Sequence, residues 1–316
     1  MTDDRAAKKL DDAARAAWLS FVAGRTQDEI ARLMGVSRQS AQRLVSQAVA
    51  SGLVKVRIDH PISRCLDLAH ALGDTFGLRE CEVVPALGAN EDTRRAVSFA
   101  VGDRIEALLS RPDPMVLGLG TGRTLRIAVE HLPRLDCAQH RIVSLTGNIA
   151  PDGSTAYYNV LFTMTEKVTA QTYPLPVPVI AASEDERAAL TGQAMLANTR
   201  ALAAAADMWV VGVGVMTDTA PVLQDGFIGA EDLARLRGKG AVAEILGWPL
   251  AADGTLVADP VTARVCSAPL DPAGNRVVLA AAHGPEKVAG LSAALRGGLV
   301  NGLVTDEDTA TALLGR

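Results

Sequence analysis

Thr26-Gln27-Asp28-Glu29-Ile30-Ala31-Arg32-Leu33-Met34-Gly35-Val36-Ser37-Arg38-Gln39-Ser40 reads as two short helices joined by a glycine turn. Thr26 stands three residues before Glu29, the spacing at which an N-cap hydroxyl and a carboxylate satisfy each other's backbone N–H groups. Ile30, Leu33 and Met34 share one helical face, and Ala31 is small enough to let a second helix cross closely. Gly35 suits the turn because a positive φ costs glycine little. Ser37 can cap the next helix, whose apolar stripe runs Ala41, Leu44, Val45, Ala48 and Val49. The opposite face carries Arg38, Gln39, Gln42 and Arg43, with Ser40 in the first turn. Such side chains hydrogen-bond base edges and phosphates from a helix lying in the major groove. The pattern predicts a helix-turn-helix in which Ser37, Arg38, Gln39, Ser40, Gln42 and Arg43 face DNA.

A surface helical hairpin with solvated polar residues would show the same fifteen-residue pattern, so the flanks weigh in the choice. Upstream, Trp18, Leu19 and Val22 predict a first helix that completes a three-helix core. Downstream, Gly52-Leu53-Val54-Lys55-Val56-Arg57-Ile58 alternates apolar and basic residues after a glycine, as a short wing strand would. Pro61 then interrupts regular structure, which places a domain boundary between residues 1–60 and 61–316. Leu66, Leu68, Ala69, Leu72 and Phe76 beyond it have helical spacing, and that helix is a candidate contact between subunits.

Charge is distributed to match. The net charge is −5, yet residues 1–60 hold ten Lys/Arg against seven Asp/Glu, and the remainder holds 21 against 29. A mildly basic head on an acidic body fits site-specific DNA contact and not the coating of nucleic acid. Apolar residues make up 48% but aromatics only 3%, so the core must be built from Ala, Val and Leu. The four cysteines (Cys65, Cys81, Cys137, Cys266) show neither disulfide nor metal-ligand spacing, and suit reduced thiols of a cytoplasmic protein. No apolar run approaches the twenty residues of a membrane span, and the first residues are not a signal peptide.

From residue 80 onward, apolar runs alternate with amphipathic helices. Strand-like segments are Cys81–Pro85, Met115–Leu119, Arg141–Leu145, Met208–Val215 and Arg276–Ala281. Helical patterns fill Asp92–Leu109, Thr124–Leu132, Glu184–Ala205, Ala230–Lys239 and Pro285–Gly297. Continuous apolar strands with helices between them predict an α/β domain with a mostly parallel sheet covered on both faces. In such sheets ligands sit beyond the carboxyl ends of strands. There, Gly118-Leu119-Gly120-Thr121-Gly122-Arg123-Thr124 forms a glycine-rich turn into a helix, a ready cradle for a phosphate. A tight strand-to-helix turn without a ligand is the alternative reading of that loop. A dinucleotide fingerprint fails because Arg123 stands where its last glycine should be, and no Gly-Lys-Ser/Thr follows to make a nucleotide loop. Thr146-Gly147-Asn148, Gly212-Val213-Gly214 and Ala282-His283-Gly284-Pro285-Glu286-Lys287 are further polar strand ends. Lys287 lies early on a helix, where a cation opposes the dipole unless it serves an anion.

Taken together the chain resembles the SorC family of sugar-responsive transcriptional regulators. The resemblance rests on Thr26–Ser40, Gly118–Thr124, Leu175-Pro176-Val177-Pro178, and Val211-Gly212-Val213-Gly214 with Gly226-Phe227-Ile228. Most specific is Gly284-Pro285-Glu286-Lys287 followed by Ala294-Leu295-Arg296-Gly297-Gly298-Leu299-Val300-Asn301 and Val304-Thr305-Asp306-Glu307. It implies a winged helix-turn-helix joined to an effector domain like those of sugar-phosphate isomerases and deaminases. It also implies dimers or tetramers on operator DNA, and a sugar, polyol or sugar-phosphate effector. By resemblance, Gly120, Thr121, Gly122 and Thr124 hold the phosphate end, while Glu244 and Lys287 face hydroxyls or a carbonyl. With Gly118, Arg123, Gly147, Asn148 and His283 they form the expected effector site; no cofactor, metal or catalytic residue is expected. Where many members carry Gly-Arg-Phe-Phe-Asp, this chain has Gly247-Trp248-Pro249-Leu250-Ala251, which leaves out an arginine and an aspartate expected near the pocket. A second class, an isomerase- or deaminase-like enzyme with a DNA-binding head, needs a general base such as Glu244 or His283. No acid/base pair with recognisable spacing accompanies them.

Overall fold

The computed structural model describes residues 2–54, 62–88, 90–150, 153–154 and 160–315. Contacts divide the chain into two units, Met1–His60 and Pro61–Arg316. The first contains α1 (Thr2–Ala17), a π turn over Trp18–Val22, α2 (Gln27–Met34) and α3 (Arg38–Ala50). Thr26 and Glu29 make the reciprocal capping box, and Gly35 closes α2 at φ 65°. The helices meet through alanines: Ala13, Ala16 and Ala17 of α1 are buried with Ile30, Ala31, Ala41, Val45 and Ala48. Methyl-sized side chains let the axes approach closely, which is how a unit this small finds a core.

The expected first-helix stripe is therefore corrected. Trp18 is 60% and Val22 67% exposed, as are Leu33 (63%) and Val49 (43%), while only Leu19 of the three upstream residues packs inward. The π turn widens the helix at Trp18 and shifts the register that α-periodicity assumed. Of the wing expected over Gly52–Ile58, Lys55–Ile58 lie outside the described residues, as does the boundary proline.

The second unit centres on seven parallel strands: β1 (Glu80–Val84), β2 (Val116–Leu119), β3 (Arg141–Ser144), β4 (Gln171–Tyr173), β5 (Met208–Gly212), β9 (Val277–Ala281) and β10 (Gly302–Asp306). A small antiparallel sheet consists of β6 (Gly214–Val215), β7 (Ala241–Ile245) and β8 (Trp248–Ala251). The helices are α4 (Ser63–Phe76), α5 (Asn90–Leu109), α6 (Arg123–His131), α7 (Val160–Thr165), α8 (Glu184–Thr191) and α9 (Ala197–Ala205). They continue with α10 (Pro221–Gln224), α11 (Ala230–Gly238), α12 (Pro260–Ala263), α13 (Val288–Arg296) and α14 (Glu307–Leu313).

The large sheet runs β1-β10-β9-β5-β2-β3-β4. Along β5, Met208 and Val210 pack with α5, α6 and α7, whereas Trp209 and Val211 join the cluster of α4, α9 and α13. Burial on both faces is why these strands read as unbroken apolar runs. Chain order reverses beside β2, with β3 and β4 on one side and β5, β9 and β10 on the other, and a crevice opens at that reversal.

Several expected elements divide. Met208–Val215 breaks at Val213, so that β5 stays in the large sheet and β6 leaves to pair with β7. Glu184–Ala205 splits around Gly192 into α8 and α9. The helix proposed as a subunit contact spends most of its apolar face internally. Leu68, Ala69 and Leu72 are buried and Phe76 packs against the same core, which leaves Leu66 exposed.

Gly118 has a packing role. A Cβ there would stand 2.6 Å from Trp209 Cδ1 and 2.8 Å from Leu145 Cδ2. Gly118→Ala is expected to lower unfolding free energy by about 1–3 kcal/mol, the usual cost of overpacking. Urea titration of the full chain checks this, and an unchanged midpoint would refute the packing role.

Candidate functional site

Two sites emerge, one in each unit. In the first, Ser37 caps α3: its Oγ accepts from Ser40 N at 3.1 Å and its hydroxyl donates to Ser40 Oγ at 2.9 Å. The cap leaves Arg38, Gln39, Gln42 and Arg43 exposed on neighbouring turns, opposite buried Ala41, Val45 and Ala48. α3 has no acidic residue, so nothing on it opposes a phosphate. Arg38 Nε lies 3.5 Å from Asp28 Oδ1, an exposed pair weak enough to be exchanged for another acceptor.

In the second unit a cavity of about 450 Å³ opens at the carboxyl ends of β2, β5 and β9. Of the residues expected there, Thr121, Gly122, Arg123, Thr124, Gly147, Glu244, His283 and Lys287 line it. Gly118, Gly120 and Asn148 do not. Gly118 packs within β2, Gly120 N donates to Val210 O at 2.8 Å, and Asn148 is buried. Gly122, at φ 127°, is the N-cap residue of α6, and a Cβ there would meet nothing within 4 Å. The N–H groups of the first turn of α6 lack intrahelical partners, and together with the helix dipole they favour an anion.

Glu244 comes from the small sheet, which periodicity did not reveal. Ile245 pairs with Trp248, so Leu246 and Gly247 form a two-residue hairpin turn, both at positive φ (55° and 84°). That geometry usually selects Asn-Gly or Asp-Gly, and Leu-Gly hid it. Leu246 lines the cavity, and Gly247 N donates to Glu244 Oε2 at 2.7 Å. Gly214 makes room for this carboxylate, since any Cβ there would overlap Glu244 Oε1. Burial pushes the Glu244 carboxyl upward, against the lowering effects of the Gly247 N–H and Lys287. Burial likewise lowers the Lys287 ammonium, whose Nζ donates to Val213 O at 2.8 Å, while Glu244 and Glu286 raise it. His283 is buried, and burial and then Arg94 hold its imidazole below the usual range.

Arg94, on α5, is the cation that sequence reading missed; nothing in its local pattern separates it from Arg95. With Arg123 and Lys287 it gives the cavity three basic side chains. Arg123 donates to Gln224 Oε1 at 3.2 Å, and burial raises the Asp225 carboxyl beside it. Trp248–Ala251, where the sequence departs from the family pattern, does not line the cavity, and Trp248 Nε1 instead donates to Ala268 O at 2.9 Å. The departure falls in the core of the small sheet.

A helix-turn-helix unit and a strand-end cavity that gathers cations and hydroxyls together define a ligand-controlled DNA-binding protein. Residues 60–315 match the family described as "Putative sugar-binding domain", and residues 17–61 match the MarR family. The chain is 34% identical, over 96% of both chains, to the erythritol catabolism regulatory protein EryD of Brucella abortus. It is 31% identical to the transcriptional regulator LsrR of Enterobacter sp., covering 95% of this chain and 92% of that one. The full-length sorbitol operon regulator SorC of Klebsiella pneumoniae shares the fold with a TM-score of 0.72 at 23% identity, covering 97% of this chain and 99% of that one. The chain belongs to the SorC family of sugar-binding transcriptional regulators, and it is a regulator and not an enzyme.

Glu244 yields a pH prediction. Its folded pKa lies above the ordinary 4.5, so the folded state holds its proton where the unfolded state has lost it. Glu244 therefore supports the fold below that value, and the contribution is lost as pH rises through the folded pKa. Unfolding free energy of wild type relative to Glu244→Gln should decline from pH 4 towards neutrality in urea titrations. Parallel pH profiles would exclude the raised carboxyl.

Proposed function

We propose that this chain controls an operon for breakdown of a polyol or sugar, and that a phosphorylated form of that compound is the effector. One observation carries the reading: Arg94, Arg123 and Lys287 converge with the α6 N-terminus on one cavity that also offers Thr121, Thr124, Glu244 and His283. The basic side chains and helix amides take the anionic group, and the carboxylate and imidazole take hydroxyls. The full-length similarity to a regulator named for erythritol catabolism supports a polyol as the parent compound.

In this reading residues 1–60 contact operator DNA in the cytoplasm through Arg38, Gln39, Gln42 and Arg43, with Ser37 and Ser40 holding the helix end. Residues 61–316 bind the effector. The DNA-bound form is a dimer or tetramer, because one small head buries little DNA surface and two-fold partners reading half-sites about 34 Å apart supply the rest.

Calorimetry against erythritol, other polyols, sugars and their monophosphates tests the effector. Phosphorylated compounds should bind more tightly than their parents, and Arg94→Met or Lys287→Met should weaken them roughly ten- to hundredfold, as loss of a charge-assisted hydrogen bond does. Equal binding of neutral polyols by all three proteins would overturn the anion site and leave Glu244 and His283 as the recognising groups. Gly122→Val should abolish the effector's influence on operator binding while leaving ligand-free DNA affinity intact.

For the head, Arg38→Ala and Gln42→Ala should each cost about 1–3 kcal/mol of operator affinity where the side chain reads a base. A phosphate contact would instead weaken all sequences and flatten the salt dependence. If the double variant binds operator like wild type, α3 does not read DNA.

A further inference from the structure

The loop that carries His283 and Lys287 into the cavity is tied to a helix on its far side. Gly284 N donates to Thr309 Oγ1 at 2.8 Å, and the Thr309 hydroxyl donates to Asp306 Oδ2. Asp306 Oδ1 also caps α14, accepting from Asp308 N at 3.0 Å and Thr309 N at 3.1 Å. Thr309 and Asp306 are both buried, so an unpaired partner there would have no water to replace it.

The next residue points the other way. Glu307 Oε1 lies 3.6 Å from Arg64 Nε, and burial, with a smaller contribution from this carboxylate, pushes the neighbouring Cys65 thiol up to about 11. Arg64 and Cys65 lie in the first turn of α4, which begins at Ser63, three positions after His60, the last residue of the DNA-binding unit. A second tie reaches the same carboxylate. Ala86 N donates to Glu307 Oε2 at 3.2 Å, and Leu87 N donates to Thr93 Oγ1 at 3.0 Å, one residue before cavity-lining Arg94. Glu307 is thus linked to both walls of the cavity, α5 on one side and the Gly284–Lys287 loop on the other.

We infer that Thr309 and Glu307 are positioning residues that carry the effector response from the cavity to the start of α4, through Gly284–Thr309–Asp306 and Glu307–Arg64. The inference rests on the cavity being the effector site. A ligand drawing on His283 and Lys287 moves the backbone at Gly284, Thr309 and Asp306 shift with it, and Glu307 changes its hold on the first turn of α4. Gly284–Thr309 and Glu307–Arg64 join elements far apart in sequence and Thr309–Asp306 joins them through the cap of α14, so a displacement is passed on through polar contacts and not absorbed by apolar sliding. Coupling of this kind requires two sites and two states that a ligand distinguishes, and these bonds run from the cavity to α4, the first helix after the DNA-binding unit in sequence.

Amide hydrogen exchange on the full-length protein tests this, with erythritol 4-phosphate as the probe. In ligand-free protein, Thr309→Val keeps the side-chain volume but removes the hydroxyl, and exchange at residues 66–68 should speed up roughly two- to tenfold, the equivalent of one net hydrogen bond. Thr309→Ser, which keeps the hydroxyl, should restore wild-type exchange. Unchanged exchange in Thr309→Val overturns the relay whatever the effector proves to be. With the probe, wild type should change exchange both at residues 121–125 and at 66–68, and Thr309→Val only at 121–125. Arg64→Met, an exposed change away from the cavity, should bind the probe with wild-type affinity yet lose at least part of its effect on operator binding. A merely structural role for Thr309 would lower stability but leave the Arg64→Met response intact, and that result also refutes the inference. No protection at 121–125 in wild type overturns the effector reading alone, since the ligand-free comparison still decides the relay.

Discussion

The reversal of strand order beside β2 is the constraint on which the effector unit depends. Strands β3 and β4 are laid down on one side of β2 and β5, β9 and β10 on the other. An open, doubly wound parallel sheet has such a place, and loops leaving it diverge. Residues far apart in sequence come together there: Thr121–Thr124 after β2, Gly212–Gly214 after β5, and His283–Lys287 after β9. The small sheet becomes possible for the same reason. Because the chain breaks at Val213, β6 can turn out of the large sheet and pair with β7, bringing Glu244 over the crevice.

Charge within the cavity is balanced by geometry more than by count. Lys287 and Glu244 are each penalised by burial and each helped by the other, and both also hold a backbone partner, Val213 O and Gly247 N. A buried pair tied to main chain in this way contributes little net stability but holds its geometry. Two glycines make that geometry possible, Gly214 by yielding space to the carboxylate and Gly247 by adopting a positive φ. Arg94 and Arg123 add positive charge that the cavity's own carboxylates oppose only in part. An anionic guest would relieve their mutual repulsion with Lys287, which lowers the ammonium's pKa.

The DNA-binding unit solves a different problem. With few residues and almost no aromatic side chain buried, it relies on close helix contact through alanine and on capped helix ends. Trp18, Phe21 and Val22 lie outside that core. The capping box at Thr26 and Glu29 and the Ser37 cap satisfy N–H groups that would otherwise be left open. They also set where α3 starts, and therefore which residues face outward from its first two turns.

Local chemistry was legible in the sequence wherever its effect is local. The Thr26 capping box, the turn at Gly35, the Ser37 cap, the strand-loop-helix at Gly118–Thr124 and the alternation of strands and helices all follow from spacing over a few residues, because caps, turns and periodic burial are short-range. Tertiary structure alone decided the rest. Trp18 and Val22 looked like core and are exposed, because a π turn changed the helical register. Leu72 and its neighbours were spent on the inner core, since β1 and α14 lie against α4. Gly118 resembled a ligand glycine but yields to Trp209, a residue ninety-one positions away. Arg94, the Leu246–Gly247 hairpin and the contact between Glu307 and Arg64 carry no local signature at all. Each depends on which strand lies beside which, and strand order in a parallel sheet is set by long crossover connections that no short-range pattern encodes.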